Sequence, residues 1–120
     1  MSPIEVTVED GIATVCINRP ERKNALSVAA TNGLTDAWER IEADDSIRVA
    51  ILTSSDCGVF SAGMDLKEAT QIARDEGVDI LTKMRDQFHE TMRACKKPII
   101  AAMTGSLMAG GMMLTLNCDL

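Results

Sequence analysis

The chain has 120 residues, of which 46% are hydrophobic and 25% are charged, as expected for one globular domain or part of one. Its net charge of −6 argues against general binding to nucleic acid or a membrane surface, so an anionic ligand would need a local basic patch. The four cysteines form no CxxC pair, which argues against a zinc site and favours reduced thiols. The chain shows neither a signal-peptide pattern nor an apolar run as long as a membrane span, so we expect a cytoplasmic protein.

The chain begins with a predicted β-hairpin. Residues 4–9 ("IEVTVE") alternate apolar and polar side chains, which is typical of a half-buried strand. Asp10-Gly11 is a hairpin signal, and residues 12–18 ("IATVCIN") predict the second strand.

A helix and a third strand follow. Ser27 is a candidate N-cap for a helix that runs to about Ala43, with apolar side chains on one face. Residues 49–54 ("VAILTS") form a β-branched apolar run, which predicts a strand buried on both faces.

The second half predicts more helix and one more strand. A largely polar helical region follows residue 66, with an interruption near Gly77, and its later part places apolar residues at helical spacing: Leu81, Met84, Phe88, Met92 and Cys95. Lys97-Pro98 ends this region, residues 99–103 predict a buried strand, and a helix begins within residues 109–117. The order ββαβαβα predicts a parallel sheet with right-handed crossovers.

Two loops rich in small residues follow buried strands and lead into helices. They lie in residues 60–66 ("FSAGMDL") and 105–114 ("GSLMAGGMML"). In open α/β sheets such loops meet at the carboxyl ends of the strands, and small side chains let a ligand approach the backbone. Two loop N–H groups aimed at one oxygen would form an oxyanion hole, worth roughly 2.7–4 kcal/mol per donor in a transition state. The alternative is close helix-on-strand packing, which either loop alone favours.

Three segments together resemble the crotonase family, also called the enoyl-CoA hydratase/isomerase family. They are "INRPERKNAL", "RVAILTSSDCGVFSAGMDL" and "KKPIIAAMTGSLMAGGMMLTLNCDL", and the resemblance runs from about Ile12 to Leu120. It implies an α/β fold, a spiral of ββα units with mostly parallel buried strands, in which residues 1–120 are the N-terminal part of a single domain truncated at its C-terminal side. It also implies homotrimers or hexamers, an acyl-CoA thioester as ligand, and no cofactor apart from the coenzyme A of that substrate.

The resemblance also implies the site residues. The backbone N–H groups of Met64 and Gly110 would form the oxyanion hole, Gly110 being the middle residue of a triplet that begins at Ala109. The segments along the coenzyme A would supply Arg22, Lys23, Ala25, Leu26, Ala62, Gly63, Asp65 and Leu66. Lys67, just past the first loop, is a second basic candidate from the residues themselves. The residues themselves agree in part, because Arg19, Arg22 and Lys23 form a basic cluster in an acidic chain, as a phosphate-bearing ligand requires. The alternative is a solvated basic loop.

The carboxylates of the family's hydratases are missing from this chain. The resemblance maps one of their two glutamates onto Met113, which cannot transfer protons, and the other beyond Leu120. We expect His89 to lie on the surface of a helix. For Asp65, the alternative to contact with the ligand is that its side chain holds its own loop in place. The leading hypothesis is an acyl-CoA-binding enzyme, a lyase or isomerase of fatty acid metabolism, that stabilises a thioester enolate but hydrates poorly. The alternatives are a non-catalytic acyl-CoA-binding or subunit-interaction protein, or an inactive fragment.

Overall fold

A computed structural model of the chain describes residues 2–107 and 110–120, without the side chains of Leu107, Met112 and Met113. Ala109, predicted to begin the glycine triplet, lies outside the described residues. Two short 3-10 turns, at Pro20–Arg22 and Ile80–Lys83, accompany the main elements, which in chain order are β1 (Ile4–Glu9), β2 (Ile12–Ile17), α1 (Val28–Ala43), β3 (Val49–Ser54), β4 (Val59–Ser61), α2 (Leu66–Glu76), α3 (Glu90–Ala94), β5 (Ile99–Ala101), β6 (Ser106–Leu107) and α4 (Gly110–Leu116). None of the helices in these described ranges is long and apolar enough to cross a membrane.

The main sheet has four strands in the order β1-β2-β3-β5. β1 and β2 form the predicted antiparallel hairpin, whose turn residues Asp10 and Gly11 both have positive φ (52° and 79°), as a tight hairpin turn requires. β2, β3 and β5 run parallel, so the predicted α/β class with a mostly parallel sheet is confirmed.

Helix α1 covers one face of this sheet. Ser27 caps it as predicted, because its Oγ accepts a hydrogen bond from the Ala30 N–H at 3.0 Å. The helix ends at Ala43, as predicted, and its buried face packs into the core through Leu34, Ala37, Trp38 and Ile41.

The prediction that β3 is buried on both faces is wrong for the part of the chain that the structure describes. Ala50 and Leu52 are buried in the core, whereas Val49 and Ile51, which point the other way, are only half-buried. An apolar run shows that solvent exposure of the strand is unfavourable. It does not show how much of the strand's second face is covered by the rest of the chain.

The long helix predicted over Leu81–Cys95 is also wrong. The segment forms the second 3-10 turn and then the five-residue helix α3, which starts where the Asp86 carboxylate accepts the N–H groups of Glu90 and Thr91 at 2.9 and 2.7 Å. His89 has a φ of 56° and ends any continuous helix there. Its side chain is buried, 8% exposed, so the expectation of a surface histidine is wrong as well.

A second sheet, absent from the sequence prediction, consists of β4 and β6 in parallel. Strands of three and two residues are too short to show an alternating pattern. Gly105 allows the two backbones to approach, since a Cβ at this position would lie 2.5 Å from the Gly58 carbonyl oxygen. The small sheet carries both loops of interest, because each loop follows one of its strands.

Candidate functional site

The loops that follow the parallel strands are joined by side-chain hydrogen bonds at one edge of the fold. The loop after β2 meets the loop after β3 where Asn24 Nδ2 donates to the Ser55 carbonyl oxygen at 3.0 Å. The end of β3 meets the loop after β5 through the hydroxyls of Ser54 and Thr104, 2.8 Å apart. Loops after the parallel strands therefore meet at the carboxyl ends of those strands, where a ligand site of an α/β sheet is expected.

Asn24 organises this edge and was not singled out from the sequence. It is fully buried, with a φ of 55°, and its Nδ2 also donates to the Val59 carbonyl oxygen at 3.1 Å. Its Oδ1 accepts from the Arg19 N–H and the Ser55 hydroxyl, both at 2.9 Å. Asparagine tolerates positive φ better than most residues, but within a polar run that signal is too weak to mark one position.

The first small-residue loop runs from the end of β4 to Asp65. Ala62 N–H donates to the Lys23 carbonyl oxygen at 3.1 Å, and Gly63, with a φ of 85°, is buried. Leu26 then bridges the loop in parallel fashion, because its N–H donates to Gly63 O at 2.6 Å and its carbonyl accepts from the Asp65 N–H at 3.0 Å.

The bridge sets the direction of the Met64 N–H. A trans peptide is planar, so the Met64 N–H points opposite to the Gly63 carbonyl, which is directed at Leu26. Within the described ranges this N–H has no hydrogen-bond partner, whereas those of Ala62, Gly63 and Asp65 each have one. One loop donor is thereby turned away from the protein segment that holds the loop.

The second loop leads into α4, and the first turn of that helix packs against the end of β4. A Cβ at Gly111 would lie 2.8 Å from both the Cβ and the carbonyl oxygen of Ser61, so only glycine allows this approach. Gly110 begins α4 immediately before it. The backbone at Gly110 and the loop after Ser61 are therefore neighbours. The convergence of the Met64 and Gly110 N–H groups on one oxygen stays a prediction.

Asp65 holds the basic loop. Its carboxylate, 4% exposed, accepts Arg19 Nη2 at 3.2 Å, Arg22 Nη2 at 3.1 Å and the Glu68 N–H at 3.1 Å, the last as N-cap of α2. Burial raises the pKa of Asp65, but the Glu68 N–H and the two guanidinium groups outweigh it and hold the pKa below its ordinary value. The alternative that Asp65 positions its loop is thus observed, and its contact with a ligand stays a prediction.

A surface groove beside this carboxylate has a volume of about 280 Å³ and is lined by Arg19, Arg22, Asp65, Lys67, Glu68 and Gln71. Three cations and two carboxylates give this lining a formal charge of +1. The side chains of Lys67 and, in the neighbouring loop, Lys23 are exposed. A positive groove in a chain of net charge −6 is the kind of local basic patch that an anionic ligand requires.

The remaining predicted contacts fall into two groups. The side chains of Ala25 and Leu26 are buried, and both backbone polar groups of Leu26 are engaged with the first loop, so Leu26 acts on the site through Gly63 and Asp65. Leu66, at the start of α2, is 73% exposed and offers an apolar surface beside the groove.

The hydroxyl of Ser61 is not placed to be a nucleophile. It is buried, donates to the Asn24 carbonyl oxygen at 2.9 Å and accepts from the Gly63 N–H at 3.2 Å. A serine nucleophile needs an adjacent base, and here both partners are backbone groups. Met113 lies within α4, and its side chain is outside the described part of the chain.

A sequence model of one family, described as enoyl-CoA hydratase/isomerase, matches residues 7–120. Among curated proteins, (E)-benzylidenesuccinyl-CoA hydratase of Thauera aromatica is 36% identical over 126 residues, which cover 98% of this chain and 45% of that protein. Enoyl-CoA hydratase domain-containing protein 2, mitochondrial, of Bos taurus is 39% identical over 110 residues, covering 92% of this chain and 37% of that protein. The chain thus spans less than half the length of these relatives.

The fold has matching solved structures. An enoyl-CoA hydratase from Mycobacterium tuberculosis H37Rv aligns with a TM-score of 0.80 at 38% identity, covering 100% of this chain and 45% of that one. An enoyl-CoA hydratase from Bacillus anthracis aligns with a TM-score of 0.86 at 29% identity, covering 98% of this chain and 46% of that one.

Proposed function

The chain belongs to the enoyl-CoA hydratase/isomerase family, and we propose that it binds an acyl-CoA thioester and stabilises an enolate of that thioester with the N–H groups of Met64 and Gly110. The observation that carries the proposal is the direction of the Met64 N–H, which the bridge between Leu26 and Gly63 turns away from the loop's own support. The close packing of Gly111 on Ser61 supports it, because it keeps the start of α4 beside the same loop. A thioester oxygen between these donors gains hydrogen bonds as it acquires negative charge.

Coenzyme A is proposed to lie along the groove beside Asp65. Its phosphates need cations that are not already paired, and Lys23 and Lys67 carry exposed ammonium groups there. Arg19 and Arg22 contribute by holding Asp65, and by adding their field to the groove. The exposed side chain of Leu66 offers an apolar surface for the methylene groups of the ligand.

The reaction proposed is one that needs enolate stabilisation more than a paired acid and base. Met113 stands where the family resemblance puts a proton-transferring glutamate, and a thioether carries no exchangeable proton. Proton-shift chemistry on an acyl-CoA fits the donors better than hydration does. A second candidate function is an acyl-CoA-binding protein without catalysis, which the same Met113 favours. The two differ in whether the bound ligand exchanges its α-protons with solvent.

The proposed binding is tested by assigned amide spectra of the chain during titration with crotonyl-CoA. We expect the amide protons of Met64 and Gly110 to move downfield, because they acquire a carbonyl acceptor, and those of Ala62 and Gly63 to move less. Free coenzyme A is the matched ligand control, since it has the phosphates but no thioester carbonyl.

The two ligands should separate the two parts of the site. Coenzyme A alone is expected to perturb the amides near Lys23 and Lys67 but to leave the Met64 amide unchanged. If crotonyl-CoA moved Met64 no more than free coenzyme A does, the oxyanion role would be refuted while a coenzyme A site survived. Exchange of the α-protons of bound butanoyl-CoA, a saturated acyl-CoA, with deuterated water then decides between the enzyme and the non-catalytic binder.

Three broader expectations remain proposals. Residues 1–120 are proposed to be the N-terminal part of one domain, and the whole protein to assemble as a homotrimer or hexamer, which sedimentation velocity measures. The cytoplasmic location also stays a prediction, and some relatives, such as that of Bos taurus, are named as mitochondrial proteins.

A further inference from the structure

The buried side chains of Asn24 and Ser61 connect the segments on both sides of β4. Both polar atoms of the Asn24 side chain are hydrogen-bonded. Its Oδ1 accepts from the Arg19 N–H and the Ser55 hydroxyl, and its Nδ2 donates to the carbonyl oxygens of Ser55 and Val59. These contacts fix the backbone of Asn24 itself, although it lies in a connection between elements. A loop peptide that is fixed in this way can serve as an anchor for another group.

The anchored group is the hydroxyl of Ser61. It donates to the Asn24 carbonyl oxygen at 2.9 Å, which orients the oxygen so that a lone pair accepts the Gly63 N–H at 3.2 Å. Asn24 O, Ser61 Oγ and Gly63 N therefore form one continuous chain of hydrogen bonds. All three residues are buried, so water does not compete for these contacts.

Gly63 is held at both ends. Its N–H is bonded to Ser61, and its carbonyl accepts the Leu26 N–H at 2.6 Å. A glycine has no side chain to limit its own torsions, and here its φ is 85°. The orientation of the peptide between Gly63 and Met64 thus depends on these two contacts, and that peptide carries the Met64 N–H.

We propose that Asn24 and Ser61 are positioning residues that aim the Met64 N–H at the thioester oxygen, through the Gly63 peptide. This inference rests on the proposed function, because it needs a ligand oxygen at Met64. The rival explanation is that the two residues only hold the fold together. Both explanations predict lost stability when a contact is removed, so the readout must report on the donor itself.

The readout is the carbonyl stretching frequency of crotonyl-CoA labelled with ¹³C at its thioester carbonyl. Hydrogen bonds to the carbonyl oxygen weaken the C=O bond and lower this frequency. The main variant is Ser61→Ala, which removes the hydroxyl without adding atoms where Gly111 packs against Ser61. The matched control is Thr35→Val, which removes another buried hydroxyl, one that donates to the Thr31 carbonyl oxygen at 3.2 Å within α1.

We expect Ser61→Ala to lose at least half of the frequency shift that the native chain imposes, with little change in the dissociation constant for crotonyl-CoA. In a turnover assay such a misaimed donor would cost roughly tenfold to a hundredfold in kcat with KM nearly unchanged. Thr35→Val should lower the melting temperature about as much as Ser61→Ala does, and it should leave the frequency shift intact. Asn24→Gly, which keeps the positive φ accessible, is the second variant and should act in the same direction as Ser61→Ala.

The outcomes separate the two proposals. A native shift that survives in Ser61→Ala, with only the melting temperature lowered, overturns the positioning role and leaves the proposed function in place. An equal loss in Thr35→Val also overturns it, since the effect would then follow stability alone. If the native chain binds crotonyl-CoA without any frequency shift, the oxyanion role fails first, and the positioning role falls with it.

Discussion

Replacing Asp65 should destabilise the chain far more than replacing an exposed aspartate with the same kind of partner. Asp65 is 4% exposed and joins Arg19, Arg22 and the first turn of α2. Removing one partner of a fully buried ion pair costs about 3–5 kcal/mol. The side chains of Arg19 and Arg22 are 15% and 35% exposed, so water compensates part of the loss. We therefore expect Asp65→Asn to lower the free energy of unfolding by about 2–3 kcal/mol.

The choice of asparagine separates the charge from the helix cap. The amide side chain introduced by Asp65→Asn keeps an acceptor for the Glu68 N–H, whereas Asp65→Ala also removes the cap, worth about 1 kcal/mol more. The control is Asp36→Asn, because Asp36 pairs with Arg85 while 68% exposed. Exposed pairs contribute at most about 1 kcal/mol.

The assay is urea unfolding at pH 7, followed by the fluorescence of Trp38, the single tryptophan, which is buried in the core. The folded pKa of Asp65 is depressed, so its contribution is complete above the ordinary aspartate pKa and is lost as pH falls through the folded value. The stability difference between the native chain and Asp65→Asn should therefore begin to shrink as pH falls below about 4, and should close only below the folded pKa of Asp65. A loss at pH 7 no larger than that of Asp36→Asn would refute the reasoning.

Three further predictions follow from charge and burial. Lys23→Gln and Lys67→Gln should each raise the dissociation constant for crotonyl-CoA roughly two- to fivefold and flatten its salt dependence. The control is Lys96→Gln, at the opposite ends of the parallel strands, and an equal effect there would mean nonspecific attraction. Burial, opposed by Asp86 and assisted by Arg93, holds the pKa of His89 below its ordinary value, so stability should fall as pH drops below about 6.5, and His89→Gln should remove that slope in unfolding titrations. Hydration of crotonyl-CoA, followed by loss of enoyl absorbance, should be slow and should rise in Met113→Glu by up to about 10²–10⁴-fold; a fast native rate would contradict the assignment.

The strands and helices with a long regular pattern were predictable. The hairpin at Asp10-Gly11 and the helix from Ser27 to Ala43 each combine a side-chain period with a local start or stop signal. The prediction of one helix across Phe88 was wrong. The apolar residues there recur at helical spacing, but the residues around Phe88 end one element and begin another. Asp86 starts a new helix there, and the left-handed backbone at His89 prevents continuation.

The candidate site was predictable only in part. Gly111 packs against the end of β4, which agrees with the alternative of close helix-on-strand packing, and Gly63 has a φ of 85° that favours glycine; the approach of a ligand to these loops stays a prediction. Asn24 escaped notice because its importance comes from partners 31 and 35 residues away, Ser55 and Val59. Contacts between distant segments leave no periodic trace in a single sequence.

The basic loop shows why counting charges in a sequence overestimates the charge available to a ligand. Four cations surround the groove and its neighbouring loop, but Arg19 and Arg22 are directed at one buried carboxylate. A guanidinium suits that task because its planar fork donates to several acceptors at once: Arg19 binds Asp65 and the Ala25 carbonyl oxygen together. The ammonium groups of Lys23 and Lys67 remain exposed to solvent. Arg19 and Arg22 therefore hold the candidate site together, while Lys23, in this loop, and Lys67, in α2, are the cations proposed to contact a phosphate.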